Sequence, residues 1–290
     1  MGVLIGQALV NGILLGGIYA VYSAGFSLIF GVMGVVNLAH GELVMVGAFI
    51  TYWIFFLFGF DPFLTIPVSM TIVFVLGYLL QRFIINRVIE EPPIISYLAT
   101  FGIHLVIANI ALLWWTADFR TVTTSYSGIN FNLGGIIIPY GRLATFGIAL
   151  VVVGLLYYMI YKTDIGRAIQ ATAQDKQMAR LVGVNVGRIY AITFGLGAGI
   201  TGLSGSLVST YFVIFPFMGL EYTIIAFCVV VLGGMGYIPG ALIGGLILGI
   251  LQSFAATFLT AGISIALTFI ILFLALVFRP AGIVGKGITE

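Results

Sequence analysis

The chain has 290 residues, of which 61% are hydrophobic and 7% charged, and its formal net charge is +2. A soluble domain carries roughly 25% charged residues, so a water-soluble enzyme is excluded, and so slight a positive balance excludes nucleic acid as a partner. What remains is an all-α polytopic membrane protein, because the apolar runs lack the polar alternation of a transmembrane barrel.

A helix needs about 20 apolar residues to cross about 30 Å of hydrocarbon. The length therefore predicts about nine crossings, within a range of eight to ten, as a helical bundle forming one transmembrane domain over 1–290. Uncharged runs fall at 1–41, 43–60, 62–81, 92–117, 143–161, 189–220 and 222–278. The opening MGVLIGQALV has no basic flank and reads as part of the first span, not as a cleaved signal. Run 1–41 is too long for one straight span and is interrupted by Gly31, Gly34 and Gly41. It predicts one span followed by a broken or re-entrant segment near 31–42.

That segment carries Asn37, His40 and Glu42 in the string NLAHGE. Ionisable groups within hydrocarbon usually face a cavity or a partner, which makes these three candidates for the pathway or gate. The plainer alternative is a polar cluster resting at the inner interface. His104 stands alone in its span and is expected to make an interhelical hydrogen bond.

Three polar connections, 82–91, 118–142 and 162–188, orient the chain. With 82–91, 162–188 and the tail from Arg279 inside, nine Lys and Arg lie inside and two outside, as the positive-inside rule requires. The N-terminus is then outside and the C-terminus cytoplasmic. The extracytoplasmic loop 117–141 contains INFNLGGIIIP, in which Gly134-Gly135 predicts a hairpin turn on a surface open to an extracytoplasmic partner.

Inside, 162–188 has helix formers from Ile165 to Leu181 and a stop at Gly183. One helix there would place Ile169, Ala173 and Met178 to one side. Such a helix lies on membrane lipid or serves as a handle for a cytosolic motor. In 195–205, Gly195, Gly199, Gly202 and Gly205 recur at the spacing that lets helix backbones approach closely, and close packing is the plain reading.

The run 222–278 must hold three crossings, near 222–235, 241–258 and 262–278, the first too short for a full span. A second broken segment is therefore expected near 222–240, and Glu221 at its head joins the pathway or gate candidates. GVMG at 31–34 and GGMG at 233–236 mark the two interruptions, and paired interrupted segments point to binding sites in repeat-built transporters. A Walker A pattern, a catalytic constellation and metal-ligand spacing are all missing from the sequence, so no catalytic role, no cofactor and no metal are expected. ATP, if used, is hydrolysed on another chain.

The stretch TDIGRAIQATAQDKQMARLVGVNVGRIYAITFGLGAGITGLSG resembles the cytoplasmic loop and following helix of permease subunits in branched-chain amino-acid ABC importers of the LivH type. NGILLGGIYAVYSAGFSLIFGVMGVVNLAHGELVMVGAFITY is similar to that family's opening signature, and FCVVVLGGMGYIPGALIGGLILG and FRPAGIVG fit it too. The resemblance implies an inner-membrane machine importing small neutral amino acids. It comprises two related permeases, two cytosolic ATPase subunits and a periplasmic substrate-binding protein. It also implies that Thr163, Gly166, Arg167, Ala171, Asp175 and Gly183 match the loop seated in the ATPase, with Asp164 and Arg180 in the same handle. A urea or other small-solute permease of the same family, and a stand-alone secondary transporter or channel, are the alternatives.

Overall fold

The computed structural model describes residues 1–279 and 282–284. The tail beyond them, with Lys286 and the end of FRPAGIVG, lies outside the described residues. In chain order the helices are α1 (Gly2–Met33), α2 (His40–Phe58), α3 (Ile66–Phe83), α4 (Pro93–Trp115), α5 (Tyr140–Lys162) and α6 (Asp164–Gln174). There follow α7 (Lys176–Leu181), α8 (Val186–Ser209), α9 (Gly219–Gly233), α10 (Ile238–Phe258) and α11 (Ala261–Phe278). Seven of them are long and apolar enough to cross a membrane, while α9 and α11 are apolar and shorter. Among the described residues this matches the expected polytopic bundle of about nine passages.

Both expected interruptions are present. α1 ends where Gly34 adopts a left-handed conformation (φ 65°) and its N–H closes on the Phe30 carbonyl, the usual glycine stop. The next six residues run back along the bundle, because His40, at the start of α2, rests on the Tyr22 carbonyl. Tyr22 lies eleven residues, roughly 17 Å of helix, before the end of α1. α9 has only 15 residues, and a four-residue turn, 234–237, separates it from α10. The GVMG and GGMG motifs meet there: a methyl group on Gly31 would lie 2.7 Å from the Gly236 Cα.

α1 and α8 form the buried centre. α10 lies against α1 along a glycine seam, where a methyl on Gly16 would meet the Leu246 Cα at 2.7 Å and one on Gly12 the Ile250 Cα at 2.6 Å. α8 carries α3 on one side, with Gly195 and Gly199 against Phe74 and Gly202 against Val73, and α2 on another, with Gly205 against Ala48. Without Cβ atoms these backbones approach closely enough for dispersion to hold the helices together.

At one end of the bundle, β1 (Asn130–Leu133) and β2 (Ile136–Pro139) form a hairpin. Its turn is Gly134-Gly135, with φ 59° and 92°, the two positive angles that a tight hairpin turn requires. The hairpin does not stand free. Gln7 of α1 accepts the Ile137 N–H at 2.8 Å and donates to the Ile137 carbonyl at 2.8 Å. At the same end Arg120 and Ile214 exchange backbone hydrogen bonds of 2.9 and 2.8 Å. The opposite end gathers the 3-10 turn Ile85–Arg87, the α6–α7 pair and the turn after α9.

The single helix expected over 165–181 is corrected. Asp175 is extended (φ −152°, ψ 105°) and separates α6 from α7. Its carboxylate accepts the N–H groups of Gln177 and Met178, at 2.7 and 3.0 Å, so it starts a second helix in place of continuing the first. The expected common face is split as well: Ile169 is buried, whereas Ala173 and Met178 are exposed.

Candidate functional site

The interrupted helices α2 and α9 meet end to end in the interior. The Gly41 N–H donates to Thr223 Oγ1 at 2.8 Å, and Gly41 is in backbone contact with Gly219 and Thr223. The preceding loop is held in place by short-range polar contacts: Asn37 Oδ1 accepts the Ala39 N–H at 3.1 Å, and Thr223 and Thr100 donate to the carbonyls of Leu38 and Val36. Irregular backbone at membrane depth is tolerated only when enclosed by protein in this way.

Asn37, His40 and Glu42 are all buried at this junction. His40 Nε2 is 2.8 Å from the Tyr22 carbonyl and 3.2 Å from Thr201 Oγ1. The carbonyl can only accept, so Nε2 carries the proton and Nδ1 is left as an acceptor. Among the described residues that Nδ1, Asn37 Nδ2 and the Tyr22 hydroxyl have no hydrogen-bond partner. The Glu42 carboxylate presses on Gly219 at the start of α9, a helix end whose dipole favours negative charge. Its Oε1 is 2.9 Å from His104 Nδ1, in contact but without hydrogen-bond alignment. His104 is therefore an interhelical partner of Glu42, linking α4 to α2.

Glu221 is in a different setting. It is exposed and borders a groove of about 360 Å³ between α9, α10 and α11. The structure therefore groups Asn37, His40 and Glu42 together and leaves Glu221 apart from them.

The residues of the 162–188 connection occupy the opposite end. Thr163 Oγ1 accepts the Gly166 N–H at 3.1 Å and donates to the Met159 carbonyl at 2.6 Å, joining α6 to α5. Gly166 packs on the Met159 and Ile160 carbonyls so closely that a side chain has no room. Arg167 pairs with Asp164 on the exposed face, and Ala171 is half-buried behind it. Arg180 reaches Glu90 at 3.0 Å, and its guanidinium holds the Glu90 carboxyl below the usual glutamate range. Gly183 has φ 88°, which a residue with a side chain rarely adopts.

The family described as branched-chain amino acid transport system / permease component matches residues 8–278. This chain belongs to that family. It is 32% identical over 298 residues to the high-affinity branched-chain amino acid transport system permease protein BraD of Pseudomonas aeruginosa PAO1, covering 98% of this chain and 97% of BraD. It is 29% identical to the corresponding permease protein LivH of Escherichia coli K12, covering 98% and 96%. Its fold is similar to a chain of PsaBC from Streptococcus pneumoniae in complex with Fab, with TM-score 0.51, 13% identity and 95% and 93% coverage. A permease component of this family is a membrane transport protein and not an enzyme.

Two features of this permease escaped sequence reasoning. Leu181 and Val182, 79% and 77% exposed, form an apolar tip with Met178 at the end of α7. The signal was available, since two apolar residues immediately before a glycine stop cannot both face inward on so short a helix. The second is a chain of buried hydroxyls, in which Thr51 donates to Ser206 at 2.7 Å and Ser69 is 2.6 Å from Ser206. Nothing in the local sequence joins those three residues.

Proposed function

We propose that this chain is the inner-membrane permease subunit of an ATP-driven importer for branched-chain and other neutral amino acids. A second, homologous permease completes the pathway, two cytosolic ATPase subunits drive it, and a periplasmic protein delivers the substrate. The observation that carries this reading is the match along nearly the whole chain to branched-chain amino acid permeases, joined to a basic handle at one end of the bundle. The positive-inside rule makes that end cytoplasmic and the hairpin end periplasmic, with the N-terminus outside and the C-terminus inside.

In this reading α6 and α7 seat in the ATPase. Thr163, Gly166 and Ala171 fix α6 to α5, while Arg167, Asp164 and the apolar tip Met178, Leu181 and Val182 meet the motor. Asp175 sets the angle between the two helices, Arg180 ties the handle to the neighbouring 84–92 turn, and Gly183 reverses the chain into α8. Movement of the handle then passes through α8, which Gly195, Gly199, Gly202 and Gly205 hold so closely against α3 and α2 that the three helices move together. The junction of Asn37, His40 and Glu42 with α9 is the gate that this movement opens, and Glu221 lines the path.

The test is uptake of labelled leucine and of urea by the complex reconstituted with its ATPases and binding protein. ATP-dependent leucine accumulation is expected. Uphill transport by the isolated permease, or uptake of urea alone, overturns the reading.

A further inference from the structure

Glu42 and Glu221 are each the third residue of an interrupted helix, α2 and α9, yet their surroundings are opposite. Glu42 is enclosed and already in contact with His104. Glu221 shares its groove with Gln252, six residues, about 9 Å, inside the end of the full-length span α10, a level within a hydrocarbon slab of about 30 Å that α10 crosses. A bare carboxylate facing acyl chains at that depth is unfavourable, and such groups face a pathway or a partner charge. The groove beside it contains no Lys or Arg, so its own walls supply no compensating positive charge and leave the carboxylate open to one on a molecule that enters.

The remaining walls say what that molecule is. Phe215, Leu220, Ile225, Ile265 and Phe269 make most of the groove apolar. Its other polar groups, Gln252 and Thr268, are committed to each other and to the protein: the Tyr19 hydroxyl donates to Gln252 Oε1 at 2.5 Å, and Gln252 Nε2 donates to Thr268 Oγ1 at 2.5 Å. An inorganic cation would need several oxygen ligands at once, and here a single free carboxylate faces a hydrocarbon wall. One ammonium beside a branched aliphatic body satisfies both. We infer that the groove between α9, α10 and α11 is a substrate subsite, in which Glu221 receives the ammonium of a zwitterionic aliphatic amino acid. This rests on the permease reading above and assigns that reading a site.

The test uses the complete complex in proteoliposomes, with ATPase and binding protein present. Leu220→Cys places a thiol in the groove beside an intact Glu221, and Ile265→Cys places a second reporter on the facing helix; the native Cys228 is buried. Labelling by a small methanethiosulfonate is followed with leucine and with 4-methyl-2-oxopentanoate, the same carbon skeleton without the ammonium. Leucine is expected to slow labelling several-fold at a reporter that supports uptake, the keto acid is not, and adding Glu221→Gln abolishes the protection. Absence of protection in a complex that imports leucine overturns the subsite and leaves the permease reading standing. Protection by the keto acid, or protection that survives Glu221→Gln, overturns the role of Glu221. A wild-type complex that imports no leucine overturns the permease reading itself.

Discussion

Gly41 and Gly219 hold the first turns of α2 and α9 in backbone contact, with the Gly41 N–H bonded to Thr223 2.8 Å away. A methyl group at Gly41 would overlap main chain, which cannot rotate aside. Gly41→Ala is therefore expected to cost about 1–3 kcal/mol, the usual range for overpacking, and to lower the melting temperature of the detergent-solubilised permease. Gly102→Ala in α4, where nothing lies within 4 Å of the added methyl, is the control and should leave the melt unchanged or slightly raised, because Ala favours a helix interior over Gly. Equal melts for both variants would contradict the tight junction.

Glu42 and His104 should behave as a unit. Replacing either by Ala leaves the other buried without its facing group, and is expected to reduce leucine uptake several-fold. The double variant Glu42→Ala/His104→Ala should be no worse than Glu42→Ala alone, since contacting residues are not additive. Uptake normalised to membrane-inserted protein measures this. Strictly additive losses would mean the two side chains act separately.

Asp175→Ala removes both side-chain acceptors from the start of α7, about 1 kcal/mol of capping. The bundle itself should remain intact. Binding-protein-stimulated ATP hydrolysis is expected to lose its link to uptake, read as more ATP hydrolysed per leucine moved. Arg167→Ala removes an exposed pair of little energetic weight, so a loss of uptake there reports on the motor interface and not on folding. Unchanged stoichiometry in both variants would argue against the handle.

The Glu90–Arg180 pair predicts a pH dependence of definite sign. Arg180 lowers the carboxyl's pKa in the folded protein, so the contribution of the pair is fully present above the ordinary glutamate value, about 4.3. It is lost as pH falls through the lowered folded value. Coupling in the wild type should thus be flat through neutral and mildly acidic pH. The difference between wild type and Arg180→Ala should shrink only under strongly acidic conditions. A profile of ATP hydrolysis per leucine moved, measured on both proteins, checks it; convergence near neutral pH would refute the pairing.

The passage count was legible because hydropathy is a local property. The two interruptions could be read from Gly31, Gly34 and the shortness of 222–235, again local. The partner of Glu42 could not be read: His104 is 62 positions away, and only the packing of α4 against α2 brings them together. The same holds for Ser206 with Thr51 and Ser69. The break at Asp175 is a different kind of miss. Asp followed by Lys-Gln-Met is a helix-starting pattern, but the run of good helix formers from Ile165 to Leu181 masks it, and Ile169, Ala173 and Met178 belong to two helices with no common face.

Gly12, Gly16, Gly245 and Gly249 bring the main chains of α1 and α10 into direct contact over about two turns. Two rods sutured so tightly have no slack in which to shear past each other. They must travel as one beam through any cycle of opening and closing, with the bending concentrated where the beam stops, at the facing glycines 31 and 236. A cross-link between the two rods should then leave transport running, while one that staples that hinge should bring it to a halt.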